Sequence, residues 1–191
     1  MHAPSLSTFA RTPAGFALGA AGAGVVIGLL LNPARKIGWQ AHEALAGDWV
    51  GVLKAEHRMV ELAFEAALKT KERQPMRRAT LFKKINWALL KHGVQEETSI
   101  YPALRETGAA EEGARHLYEE HADIKTRLFL LQSMDVRLPE WLGALEDLRD
   151  LIEGHVREEE DELFPMLHER LSRDENRRLT MLVHREGVRL A

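Results

Sequence analysis

Two stretches, His92-Gly93-Val94-Gln95-Glu96-Glu97 and His155-Val156-Arg157-Glu158-Glu159-Glu160, share the form His-x-x-x-Glu-Glu at an offset of 63 residues. Each is followed at the same distance by an aromatic-proline step, Tyr101-Pro102 and Phe164-Pro165. Residues four apart on an α-helix share a face and lie about 5–6 Å from one another. Each His/Glu pair can therefore grip one ion or help to bridge two.

The surrounding pattern says which way these side chains point. Phe82, Ile85, Leu89, His92, Glu96 and Ile100 step by three and four, as do Leu145, Leu148, Ile152, His155, Glu159 and Leu163. Two further stripes match at an offset of 64: Val50, Leu53, His57, Val60 and Phe64 against Ala114, Leu117, His121, Ile124 and Leu128. Such stripes face a core, and the His and Glu residues sit inside them. The chain reads as two helical hairpins of one design, each bringing a lone His and a His/Glu pair to a common axis. A carboxylate on an apolar stripe costs several kcal/mol unless it is protonated or paired with a cation. A metal-free network of His–Glu hydrogen bonds is the competing reading, but a metal satisfies all six groups at once. The donors are nitrogen and oxygen with no thiolate, which suits iron or manganese and does not exclude zinc.

The order H…HxxxE…H…HxxxE over residues 48–170 resembles the HHE cation-binding domain of the hemerythrin family. The resemblance implies an all-α fold, an antiparallel up-down four-helix bundle. It also implies two non-haem iron ions bridged by an oxygen species. By residue-to-residue carry-over, His57, His92, His121 and His155 serve as terminal metal ligands, and Glu96 and Glu159 bridge the two ions. Other carboxylate di-iron bundles project glutamates and histidines inward in the same manner.

Around these six, Glu97 and Glu160 are turned about 100° from the bridging pair and read as solvated or supporting groups. Glu61 lies four after His57, and its repeat partner is Lys125, so that position borders the site without having to bind. Tyr118, three before His121, either donates to a metal-bound oxygen or is a core aromatic paired elsewhere. His42, His116, His168 and His184 fall off the stripes and read as surface residues.

The chain has 191 residues, 45% hydrophobic and 29% charged, as globular proteins do. Net charge is −3 with signs interspersed, which leaves no basic stripe for nucleic acid. The absence of cysteine removes disulfides, iron–sulfur clusters and thiol catalysis. Three parts follow: residues 1–47 as tail, Gly/Ala-rich apolar segment and linker; 48–171 as the metal-binding bundle; 172–191 as a C-terminal helix. Residues 14–31 carry no charge and two GxxxG spacings, Gly15/Gly19 and Gly24/Gly28. They read either as a short membrane segment or as a glycine-rich helix or loop packed on protein. Arg35 and Lys36 after the segment, against Arg11 before it, would keep a bundle anchored there on the cytoplasmic side.

A short helix is expected over residues 37–45. Asp48 is an expected N-cap for a bundle helix running to about Lys71. Pro75 opens the second helix, and Leu138-Pro139 the fourth. Bends or local unwinding are expected at Pro102 and Pro165. Ser172-Arg173-Asp174-Glu175 has the form of a capping box, predicting a last helix over residues 176–188.

One departure from the family pattern bears on function. Oxygen-carrying hemerythrins have two histidines one turn apart on the third helix; here His121 is followed four later by Lys125. Four histidines shared evenly leave an open or water-filled position on each ion, which suits reaction with hydrogen peroxide, oxygen or nitric oxide, including catalase-like peroxide breakdown. The non-enzymatic alternatives are an iron or oxygen sensor, an oxygen carrier and an iron reservoir. The sequence leaves the oligomeric state open.

Overall fold

The computed structural model of the chain describes residues 47–190. The apolar segment 14–31, the helix expected over 37–45 and His42 lie outside the described residues. Helix α1 (Trp49–Leu68) is followed by α2 (Pro75–Gln95), which passes through a π-helical turn, π1 (Glu96–Ile100), into α3 (Tyr101–Glu106). Helix α4 (Glu111–Ser133) precedes α5 (Pro139–Glu158), which likewise passes through π2 (Glu159–Leu163) into α6 (Phe164–Arg170). The chain then turns into α7 (Arg173–Leu190).

The helix starts follow from local chemistry. Asp48 accepts a hydrogen bond from Gly51 N at 3.1 Å and caps α1. Pro75 and Pro139 occupy the first turns of α2 and α5, where a missing N–H costs nothing. Ser172 and Glu175 form the reciprocal box: Glu175 N donates to Ser172 Oγ at 3.3 Å and Ser172 N to Glu175 Oε2 at 2.8 Å. With Ser172 as the cap, α7 begins at Arg173, three residues ahead of the expected start. Gly108, at φ +60°, takes the left-handed conformation that ends α3.

The rods α1, α2–α3, α4 and α5–α6 are joined by short turns, so neighbours run antiparallel. Helix α1 packs on α2 and α5, and α4 packs on α3 and α5, closing a four-rod bundle. Helix α7 lies outside it against α1 and α2. Trp49 Nε1 donates to Asn176 Oδ1 at 2.9 Å and Gln95 Nε2 to Val183 O at 3.3 Å, fastening α7 there. Among the described residues, no helix is long and apolar enough to cross a membrane.

Two apolar clusters fill the bundle. One gathers Trp49, Leu53, Ile100, Leu117 and Phe164; the other gathers Phe64, Phe82, Leu128, Trp141 and Leu148. The polar layer of histidines and glutamates lies between them along the stripes. Arg78, 1% exposed, closes the far end without a carboxylate: it donates to Thr70 Oγ1, Thr70 O and Val136 O. It thereby ties the α1–α2 turn to the α4–α5 turn.

The π turns stand immediately ahead of the two aromatic-proline steps. A proline ring crowds the carbonyl four residues back and offers no N–H, and widening the preceding turn accommodates it. The N–H of Tyr101 reaches Glu96 O, and that of Phe164 reaches Glu159 O, each five residues back. The expected unwinding therefore takes the form of one extra residue per turn, a device common at functional sites. It changes which residue shares a face with Glu96.

Candidate metal centre

The six stripe residues converge. His57 comes from α1, His92 from α2, Glu96 from π1, His121 from α4, His155 from α5 and Glu159 from π2. All six are buried, the two glutamates completely. The Nε2 atoms of His57 and His92 are 2.7 Å apart, and those of His121 and His155 are 3.1 Å apart. Each carboxylate is split between the pairs. Glu96 Oε1 lies 3.0 Å from His92 Nε2, while its Oε2 lies 3.5 Å from His121 Nε2. Glu159 Oε2 lies 3.4 Å from His57 Nε2, while its Oε1 lies 3.5 Å from His155 Nε2.

Two ligand groups result, His57/His92/Glu96/Glu159 and His121/His155/Glu96/Glu159, with the donor atoms of each within 4.8 Å of one another. Both oxygens of Glu96 and Oε2 of Glu159 find no hydrogen-bond partner among the described residues. Buried carboxylate oxygens are seldom left so. Facing convergent imidazole nitrogens, they have the chemistry of a site for two cations that share both glutamates. The residues present fit a pair of metal ions.

Each imidazole turns its other nitrogen to a carboxylate. His57 Nδ1 is 2.8 Å from Glu160 Oε1 and His121 Nδ1 is 2.9 Å from Glu97 Oε1. His92 Nδ1 is 2.9 Å from Glu56 Oε2 and His155 Nδ1 is 2.8 Å from Glu120 Oε2. Such contacts orient a histidine, fix its tautomer and raise its basicity toward a metal. Glu97 and Glu160 thus support the outer sides of two histidines. Glu56 and Glu120 are additions that the stripe argument missed. The available signal was the repeated dipeptide Glu56-His57 and Glu120-His121.

These contacts set the protonation of the cluster. Burial opposes charge on His92, but the Glu96 charge and the Glu56 hydrogen bond outweigh it and hold its pKa well above the ordinary value. His57 is raised despite burial and the His92 charge, by the nearby carboxylates of Glu159 and Glu160. His155 is raised despite burial by Glu159 and Glu120. Burial would raise Glu56 and Glu159, yet their neighbours hold each at about 2: His92 and Lys91 for Glu56, and His155 and His57 for Glu159.

Of the two readings for Tyr118, the one with its hydroxyl paired elsewhere holds. Tyr118 gives its hydroxyl to the backbone carbonyl of Glu97 at 2.9 Å, away from the ion positions. The hydroxyl at the site is that of Tyr101, which donates to Glu159 Oε1 at 2.8 Å and lies 2.9 Å from His121 Nε2. Burial, then the charges of Glu96 and Glu159, push its pKa well above the usual value, so it stays protonated. Lys125 does not simply leave a gap: its ammonium pairs with Glu97, behind His121. Its position borders a cavity of ≈ 20 Å³ that reaches all four histidines and is walled by Leu89, Leu90, Ile124, Leu128, Ile152 and Val156.

Of the remaining residues, Glu61 is exposed and pairs with Arg58. His116 is exposed, 3.5 Å from Glu120 and 3.6 Å from Glu158. His168 is exposed near Asp48. His184, expected at the surface, is half-buried on α7.

Comparison with known proteins agrees with this architecture. The family model described as Hemerythrin HHE cation binding domain matches residues 50–167. The chain is 34% identical over 93 residues to an uncharacterized hemerythrin-like protein of Schizosaccharomyces pombe, covering 47% of this chain and 45% of that protein. It is 27% identical over 124 residues to a protein of Nostoc sp. named DNA nickase, covering 65% of this chain and 34% of that protein. The chain thus spans less than half the length of both curated relatives. No solved structure matches it significantly. A family match over most of the chain, on a helical bundle whose four histidines and two glutamates meet at its axis, places this protein in the hemerythrin HHE cation-binding domain family.

Proposed function

We propose that the chain binds two iron ions and reacts with a small oxygen or nitrogen species: hydrogen peroxide, oxygen or nitric oxide. His57 and His92 would hold one ion and His121 and His155 the other, with Glu96 and Glu159 shared between them. The observation that carries this reading is the division of both glutamates between the two histidine pairs. Nitrogen and oxygen donors without thiolate favour iron or manganese over softer choices. Bound iron would supply Lewis-acid and redox chemistry at any coordination position left open to a substrate.

The chain's own residues define what that substrate meets. The apolar cavity beside the histidines has room for about one water-sized molecule, which favours small neutral species over organic substrates. Tyr101 holds a proton on its hydroxyl, aimed at Glu159 Oε1 and His121 Nε2. That oxygen stands on the His121/His155 side of the site. DNA nicking is no part of this reading, since a net charge of −3 offers little attraction for a phosphate backbone. Membrane association rests on the sequence of residues 14–31, with the bundle placed on the cytoplasmic side.

The test is metal analysis and an optical spectrum of purified protein, followed by stopped-flow mixing with oxygen and with peroxide. Two irons per chain and many peroxide turnovers without loss of metal are expected. A long-lived oxygenated species with no peroxide turnover would replace the catalytic reading with a carrier or sensor.

A further inference from the structure

The internal repeat gives the two ion positions the same histidines and the same bridging glutamates, yet the groups behind them differ. Behind His57 and His121 the arrangement is matched: Glu160 pairs with Lys54 at 3.4 Å, and Glu97 pairs with Lys125. Behind His92 and His155 it is not. Glu56 receives Lys91 Nζ at 2.7 Å, and both side chains are almost wholly removed from solvent. Glu120, the counterpart of Glu56, has beyond His155 itself only the exposed imidazole of His116, at 3.5 Å, as a basic neighbour among the described residues. The counterpart of Lys91 is Gly154, and the counterpart of the buried, neutral Gln95 is the carboxylate Glu158. The repeat is therefore broken by charge on one side: a buried lysine behind the first position, an extra carboxylate behind the second.

We propose that Lys91 is a positioning residue that makes the two ion positions unequal. Acting through Glu56, it offsets the negative charge behind His92, so the His121/His155 position takes a divalent cation more tightly and fills first. The physical cause is local. A carboxylate on Nδ1 strengthens a histidine as a ligand, and an ammonium 2.7 Å behind that carboxylate, shielded from water, withdraws part of the effect. The proposal rests on the ligand assignment above, and the experiment separates the two.

Metal-free protein is titrated with cobalt(II), whose absorption reports each occupied position. Two equivalents with dissociation constants about tenfold apart are expected, the low end of what a ligand's hydrogen-bond partner changes. His121→Ala should remove the tighter step, and His57→Ala the weaker one. Gly154→Lys places an ammonium at the counterpart of Lys91, on an exposed helix face with nothing within 4 Å of the added carbon. Solvent-exposed, it should weaken the tighter step by less than about tenfold and narrow the gap between the two constants. Lys91→Met should bring them together from the other side, by tightening the weaker step. If Lys91→Met does not fold, Gly154→Lys decides alone. Loss of the tight step in His57→Ala, or unchanged separation in Gly154→Lys, overturns the inequality while leaving the ligands in place. Fewer than two equivalents in the unaltered protein overturns the ligand assignment and this proposal with it.

Discussion

The Tyr101 hydroxyl donates to Glu159 Oε1 at 2.8 Å, bringing a residue of α3 to the carboxylate of π2. Its repeat counterpart is Phe164, whose ring lies over His57 at 6.2 Å and 12°. Tyr101→Phe thus installs what the other hairpin already has. The variant should keep its metal and lose only about 1 kcal/mol of stability, the usual worth of one hydrogen bond. Peroxide breakdown should slow about 10²-fold if that proton is used in the reaction. Unchanged peroxide kinetics in a fully loaded variant would show the hydroxyl to be structural.

Removing a ligand should exceed removing its support. His92→Ala and His155→Ala should each lose metal and melt at lower temperature, because metal binding contributes directly to folding. Glu97→Gln and Glu160→Gln reach the proposed ligands only through the outer nitrogens of His121 and His57 and should weaken metal binding about 10–100-fold. Metal content by mass spectrometry across a dialysis series ranks them. Full occupancy in either alanine variant would remove that histidine from the ligand set.

Protonation predicts how pH acts on the metal-free protein. The raised pKa values of His57, His92 and His155 give stability that is complete below 6.5 and is lost as pH climbs through the folded values. The lowered values of Glu56 and Glu159 give stability complete above 4.5 and lost as pH falls toward about 2. Metal-free protein should therefore melt highest between these limits. A metal must displace the imidazole protons, so the increase in melting temperature on loading should grow from pH 6 to pH 8. Each displaced proton contributes about 1.4 kcal/mol per pH unit. A gain that stays flat with pH would mean the histidines are already neutral in the metal-free protein.

Filling the apolar cavity tests access. Leu89→Phe adds bulk at a half-buried wall position without touching a ligand. Overpacking should cost about 1–3 kcal/mol, and metal content should stay at two per chain. The reaction with peroxide should slow. A rate unaffected by the added ring would direct attention to another path to the histidines.

The stripes, their four histidines and the two inward glutamates were legible in the sequence because each depends only on spacing within one helix. A 3.6-residue period puts His92 and Glu96 on one face whatever lies opposite, and a carboxylate on an apolar stripe announces its own problem. The Asp48 cap and the Ser172 box are equally local. The supporting carboxylates are not. Glu56 and Glu120 stand one residue ahead of inward histidines, about 100° off the stripe, where they look solvated. They serve the site because an imidazole from the neighbouring helix meets them at the seam, a distance that no single-helix period encodes. The place of the Tyr101 hydroxyl at the site was not legible for a related reason. The π turn shifts the helical phase after Glu96, and that shift depends on which carbonyl the Tyr101 N–H finds. The repeat foretold two alike hairpins, and packing gave their histidines different surroundings: a lysine next to His92 was drawn into the core against Glu56, while glycine and an exposed histidine stand on the matching side.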